Sequence, residues 1–381
     1  LLPGPEAQQL AIYIGWLLHK TWGGIVAGAL FVIPSIFVLW GLSFVYAAYG
    51  NIPWIAALFY GLKPAVMAIV AAAVIRIGRK ALKNSVMWSL AALAFVAIFF
   101  FKVPFPVIVI SAGIVGFIGG RLWTEKFLVV DEHGSAREEE RSVLGDETES
   151  PEHTQPSFAR AVKVAVVCLG IWLLPTVLVG LWQGWDSVFF KEGVFFSKAA
   201  VVTFGGAYAV LPYVAQQAVE HYGWLQPGQM MDGLGLAETT PGPLIMVVQF
   251  IGFMGGWVQH GDLNQVLGAT IGALLTTWAT FTPCFLWIFL GGPHIEQLRG
   301  NESLTTSLSS VTAAIVGVVM NLAVWFGIHV LWPTSGSFDW FALALAAVAF
   351  IGIMKWKWDV IPVVLGSGLL GLVYKMFVLP G

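Results

Sequence analysis

The sequence predicts an all-α polytopic membrane protein made of two inverted-topology repeats of transmembrane helices, about 12 segments in all, with broken or re-entrant helices opening on Pro-Gly-Pro. Three observations lead there. The 381 residues are 58% hydrophobic and 10% charged, whereas a soluble domain carries about a quarter charged residues. Apolar runs approaching the roughly 20 residues that cross a bilayer follow one another along most of the chain. The phrase LLPGPEAQQLAIYIGW, residues 1–16, returns as TTPGPLIMVVQFIGF at residues 239–253.

In chain order, the first segment, 6–19, starts directly after Pro5. Proline inside a helix removes a donor and clashes one turn back but is well tolerated at the first helical position, so PGP reads as a helix start. Segments 24–49, 53–75, 85–101 and 104–120 follow. Residues 124–160 then hold ten of the 21 acidic residues without helical apolar periodicity, and read as a solvated, flexible linker. Beyond it lie 161–183, 194–214, 241–257, 265–291, 305–332, 340–354 and 358–378. The two segments that begin on PGP are short for full spans, which suits re-entrant or broken helices. The expected organisation is an N-terminal transmembrane repeat over 1–123, an acidic cytoplasmic linker over 124–160, and one extra helix followed by the C-terminal repeat over 161–381.

The repeat extends beyond its opening phrase. Pro3, Gly4 and Pro5 match Pro241, Gly242 and Pro243, and Ile14 and Gly15 match Ile251 and Gly252 with a one-residue slip. Pro34 stands as far from Lys63 as Pro283 does from Thr312, aligning LKPAVMAIV with VTAAIVGVV. The second copy carries FGGAYAVLPYV at 204–214 ahead of its PGP; the first would carry its counterpart, with one helix, before Leu1. No signal peptide is read at Leu1, which opens directly on PGP. An odd number of crossings separates equivalent elements, so the halves are expected upside down relative to each other, the plan of secondary transporters with a site near the midplane.

Basic loops are retained on the cytoplasmic side. With the linker placed there, the inside set is Lys20, Arg76, Arg79, Lys80, Lys83, Arg121, Lys126, Arg137, Arg141, Arg160, Lys163, Arg299, Lys355 and Lys357, against Lys102, Lys191, Lys198 and Lys375 outside. This asymmetry predicts a multi-pass protein of the cytoplasmic (inner) membrane with its C-terminus outside.

A helix N-terminus offers unpaired N–H groups and partial positive charge, which suits an oxyanion. Two such starts facing opposite ways and converging would make a substrate site from Pro3, Gly4, Pro5, Glu6, Gln8 and Gln9 in one copy, and Thr239, Thr240, Pro241, Gly242 and Pro243 in the other, with Thr239 or Thr240 as the cap and Glu238 just before it. PGP merely ending a loop at the membrane surface is the plainer alternative. Gly205 and Gly206 permit close backbone approach, either to a helix or to a substrate. Lys63 sits near the middle of a span, where a lysine costs about 2.5–3.5 kcal/mol on insertion scales and needs a partner or a function. Gln249 and Asn321 are neutral polar residues in apolar spans, suited to interhelical hydrogen bonds or to substrate contact.

Cys168 and Cys284 both lie in apolar runs and form no CxxC motif, the seven histidines show no metal-ligand spacing, and no GxxxxGK[ST] loop occurs. No cofactor, no metal and no nucleic-acid partner are expected, and ATP-driven transport by this chain alone is disfavoured.

At FGGAYAVLPYV followed by ETTPGPLIMVVQFIGF, and at LLPGPEAQQLAIYIGW with GLKPAV, the sequence resembles the chromate ion transporter family over nearly the whole chain. Ala207 departs from the glycine or proline of many members, and the acidic linker has no match in the family pattern. The resemblance implies a long-chain, two-repeat secondary transporter that exports chromate and handles sulfate as a chemical relative, with the family's FGG and PGP elements carried by Gly205, Gly206, Pro241, Gly242, Pro243, Pro3, Gly4 and Pro5. Sulfate uptake and, from another class, a membrane-embedded chromate reductase using Cys168 or Cys284 are the alternatives. The implied partners are a chromate or sulfate oxyanion and the lipid bilayer; the coupling ion is open, and a homo-oligomer is compatible with the sequence.

Overall fold

A computed structural model describes residues 4–127, 157–204, 206–294, 301–333 and 336–378. Among them the secondary structure is helical, without strands. The helices are α1 (Glu6–Tyr49), α2 (Pro53–Ala81), α3 (Ser85–Phe99), α4 (Phe105–Leu122), the short α5 (Thr124–Phe127), α6 (Phe158–Gln183), α7 (Val188–Val202), α8 (Ala207–Gln216), α9 (Pro227–Thr239), α10 (Val247–Val258), α11 (Gln265–Phe281), α12 (Pro283–Gly291), α13 (Glu302–Leu331), α14 (Trp340–Lys355) and α15 (Val360–Val373). Seven described helical stretches are long and apolar enough to cross a membrane. The chain is a polytopic membrane protein. Of the expected linker, 128–156 lies outside the described residues, and its two ends are helical.

Four places turn back on themselves. α1 breaks at His19 and Lys20, whose dihedrals are non-helical, and its two arms run antiparallel: Gly15 packs against the carbonyl of Gly23, and Gly28 against Ile12. α10 and α11 repeat this packing, with Gly252 against the carbonyl of Gly272. The two contacts are related by the sequence repeat, since Gly15 aligns with Gly252 and Gly23 precedes Pro34 as far as Gly272 precedes Pro283. Small residues allow this close approach, which packing in lipid depends on.

The expected span over 194–214 is not one span. α7 ends at Val202 and α8 runs back beside it, so that the Phe195 ring lies 5.3 Å from Tyr213, 5.7 Å from Tyr222 and 5.8 Å from Trp224. Gly206, at φ 89°, opens α8 in a conformation that L side chains rarely adopt. A second hairpin follows. α9, which lies between the expected segments 194–214 and 241–257, is largely buried, and Phe250 of α10 covers its Gly233. At 15 and 12 residues, α7 and α10 reach about 22 and 18 Å, short of the roughly 30 Å hydrocarbon core. Phe204 and Gly206 of the first element, and TTPGP, therefore lie at hairpin tips rather than within full spans.

The inversion is visible along α11 and α12. Thr282 between them keeps helical dihedrals (−62°, −38°), so Pro283 opens α12 without a break, and the 30-residue stretch Gln265–His294 is about 45 Å long. The turn joining α10 to α11 lies at its start, whereas the turn of α1 lies at its end, where Trp16 covers Gly292. Equivalent hairpins thus point to opposite ends of one span.

The repeats interleave. α2 packs against α14 and α15, and α13 against α3 and α4. Gly61 of α2 meets Ser367 and Gly371; its counterpart in the repeat, Ser310 of α13, meets Gly116. α6 stands apart, burying only Trp172, Thr176 and Gly180, one residue per turn, and it is clamped to α11 by Trp172 Nε1 donating to the Ala279 carbonyl and Trp278 Nε1 to that of Ile171, both at 3.0 Å.

Candidate functional site

Three helix starts lie at the interior tips. α1 starts after Pro5, α8 after Gly206, and the turn Leu244–Met246 leading into α10 after Pro243; none has a side-chain cap. Five other helix starts are capped by their own side chains, Asn84, Ser187, Asn264, Asn301 and Asp339. The starts of α2, α4, α6 and α15 also lack a side-chain cap, so the tips share with them first-turn N–H groups that no capping side chain satisfies.

The tips are fixed by contacts that cross between repeats. The Gly4 N–H donates to the Thr203 carbonyl at 2.8 Å, joining the first PGP to the FGG tip. A Cβ on Gly4, whose φ is 118°, would lie 3.1 Å from Cys284 Sγ, and Gly242 is pressed against Ser35, whose hydroxyl donates to the Pro241 carbonyl. These contacts form a matched pair: Gly4 is the counterpart of Gly242, and Ser35 and Cys284 are the residues after the mid-span prolines Pro34 and Pro283. Each PGP tip docks on the other repeat's proline-bearing span, next to its mid-span proline.

The remaining expected site residues are placed as follows. Pro5 is buried, and Glu6 is exposed with Oε2 3.9 Å from the Cβ position of Gly206. Gln8 is buried and donates to the Gly28 carbonyl at 3.4 Å, and Gln9 reaches Cys284 Sγ at 3.9 Å. Gln249, fully buried, donates to the Ile36 carbonyl at 2.8 Å and leaves Oε1 without a partner. Pro241 and Gly242 are exposed at their tip, and Pro243 is half-buried. Pro3 and Gly205 lie outside the described residues.

Thr239 and Thr240 do not cap the PGP start. Their hydroxyls donate backwards to the carbonyls of Leu236 and Ala237, at 2.8 and 2.9 Å, closing the end of α9. The helix that precedes the tip has unpaired last carbonyls, and these claim the hydroxyls first.

Lys63 is not at the tips. Its ammonium lies 3.7 Å from Asp232 on α9, and the Tyr46 hydroxyl donates to the same Asp232 oxygen at 2.9 Å. Asp232 precedes Thr240 by eight residues, about 12 Å of helix. The partner that an intramembrane lysine requires is thus present, and sequence reasoning missed both it and Tyr46. Tyr208, at the start of α8, was missed too: its hydroxyl donates to Glu238 Oε1 at 2.6 Å, tying the FGG tip to the end of α9. Arg76 lies close enough to act electrostatically on both Tyr208 and Glu238. Among the described residues no group of His, Cys, Asp or Glu is arranged to hold a metal ion.

Chemically, the centre offers backbone amides at helix starts, opposed by the carboxylates of Glu6 and Glu238 and offset by Arg76.

The chain matches the family model described as Chromate transporter over residues 1–117 and 190–372. It is 30% identical over 383 residues to a protein named chromate transport protein from Pseudomonas aeruginosa, covering 97% of this chain and 80% of that one. It is 27% identical to the chromate transport protein of Cupriavidus metallidurans, with 98% and 80% covered, and 26% identical to a probable chromate transport protein of Synechococcus elongatus, with 85% and 71% covered. No solved structure gives a significant match.

Proposed function

The chain belongs to the chromate transporter family, and from that premise we propose that it is a secondary transporter carrying chromate outward across the cytoplasmic membrane, its substrate resting between the hairpin tips of the two repeats. The observation that carries this reading is the convergence of uncapped helix starts drawn from both repeats. Broken helices of inverted repeats place their positive ends on anionic substrate groups in other transporters, and irregular backbone at membrane depth is tolerated where it lines such a site. The names of the relatives point to transport rather than catalysis.

The direction follows from electrostatics. A dianion leaving an inside-negative compartment gains about 4.6 kcal/mol per 100 mV, twice the roughly 2.3 kcal/mol per charge, so outward movement needs no other energy source. The basic-residue asymmetry orients the turn of α1 and the 124–160 linker to the cytoplasm and the C-terminus to the outside. Arg76, on the cytoplasmic side of the tips in this orientation, would draw an anion toward them. Sulfate, of the same charge and tetrahedral shape, competes for the site.

The test is labelled chromate uptake into everted vesicles under an imposed potential, with sulfate as competitor. We expect potential-driven accumulation that sulfate reduces and that Gly242→Leu, which overfills the tip against Ser35, abolishes. Accumulation that ignores the potential, or persists undiminished in Gly242→Leu, would refute the reading.

A further inference from the structure

Among the described residues the most deeply buried acidic side chain outside the tips is Glu192 on α7. It is 0% exposed, and neither carboxyl oxygen has a hydrogen-bond partner. Its surroundings are built around it. Gly255 of α10 lies directly against Oε1, where any side chain would collide; a Cβ on Gly272 of α11 would stand 3.0 Å from Oε2, and Trp224 closes the slot beside Gly255. Gly272 also forms the seam that zips α10 to α11. The carboxyl is thus inserted at the joint between α7 and the hairpin that bears the second PGP tip.

We propose that Glu192 is a proton-binding site, protonated while this joint is closed and deprotonated when it opens to water, so that proton movement accompanies the rearrangement of the α10–α11 hairpin during transport. An isolated carboxylate in a dry slot is far costlier than a neutral carboxylic acid, and a buried acid is otherwise hydrogen-bonded or paired. Among the described residues neither carboxyl oxygen has a hydrogen-bond or ion-pair partner. α10 and α11 carry no ionisable residue, and on the other elements packed against α7 the titratable groups are Arg160, Lys163 and Cys168 of α6, Tyr208 and Tyr213 of α8, and Cys284 of α12. On α7 itself are Lys191 and Lys198; Asp186 precedes it and pairs with Lys191 at 3.9 Å, and Glu220, His221 and Tyr222 precede Trp224, with His260 and Asp262 in the turn between α10 and α11. Opening toward one face breaks the carboxyl O–H bond and passes the proton to water there; closing after exposure to the other face takes a proton from water on that side, so one proton crosses per cycle and no other reactant is needed.

The inference rests on the transport reading, and two measurements separate its failure from the failure of that reading. A hydrophobic carbodiimide adds to a protonated carboxyl in an apolar site; mass spectrometry of the treated full-length protein should find the acylurea adduct at Glu192 and none at this position in Glu192→Gln. An unmodified Glu192 overturns the proposal whatever the substrate proves to be. In proteoliposomes with a trapped pH dye, chromate flux of the unaltered protein should carry protons, Glu192→Gln should keep potential-driven chromate flux while losing the accompanying proton flux and the pH dependence, and Glu192→Asp should restore both. An unchanged proton-to-chromate ratio in Glu192→Gln overturns the proposal; if that variant does not fold, the carbodiimide adduct in the unaltered protein decides.

Discussion

At the residue scale, Lys63 shows what a single charge in an apolar run reveals and what it hides. Its cost at membrane depth made it legible, but the cost says only that a partner exists. That partner, Asp232, sits in GQMMDGLGLAET, a stretch with three glycines and little apolar periodicity that reads as a loop. The pair is unequal: the Lys63 side chain is 31% exposed and that of Asp232 5%. Removing one partner of a buried pair typically costs about 3–5 kcal/mol, less where solvent reaches it. Lys63→Met, which strands Asp232, should therefore lower stability by about 2 kcal/mol, and Asp232→Asn, which leaves a lysine able to reach water, by about 1 kcal/mol or less. The double variant should be more stable than Lys63→Met. Melting temperatures in detergent check this order, and equal losses in both single variants would mean that the pair does not act as described. Glu192 escaped sequence reading for a related reason: FFKEGVFF is apolar around it, and the glycines that receive it belong to helices more than 60 residues away.

At the element scale, the legible feature was PGP as a helix start, because proline chemistry is local. The doubling back was not. AVVTFGGAYAVLPYV is as apolar as one continuous span, and only tertiary packing of Phe195 on Tyr213, Tyr222 and Trp224 reveals the return. Thr239 and Thr240 have the right chemistry for a cap, and position alone sent their hydroxyls to the preceding helix. The glycine seams carry a further prediction. A leucine at Gly15 or Gly252 must push apart helices whose backbones touch, and overpacking costs about 1–3 kcal/mol or more, so both variants should melt earlier than the parent and lose transport. Gly170→Leu on α6, where a Cβ would meet nothing within 4 Å, should melt within the error of the parent. If all three behave alike, close helix approach is not what these glycines provide.

At the scale of the whole molecule, the duplication in sequence becomes a set of paired contacts: Gly4 on Cys284 with Gly242 on Ser35, Gly15 on Gly23 with Gly252 on Gly272, and α2 on α15 with α13 on α4. Equal spacing in the sequence allowed the inverted arrangement to be inferred; the interleaving did not follow, since a repeat says nothing about which partner each helix chooses. The opposed hairpins make a labelling prediction. In a background lacking Cys168 and Cys284, an impermeant thiol reagent should reach Lys20→Cys from one face of the membrane and Asp262→Cys from the other, and labelling of both from one face would rule out the inversion.

The central claim, that the substrate sits where tips of both repeats meet, is tested most directly by equilibrium binding of labelled chromate to the purified protein, which depends on neither orientation nor driving force. Gly4→Leu in one repeat and Gly242→Leu in the other should each weaken saturable, sulfate-displaceable binding by at least about tenfold, or 1.4 kcal/mol, while Gly170→Leu binds like the parent. Unweakened binding in both tip variants, each folded and monodisperse, would contradict it.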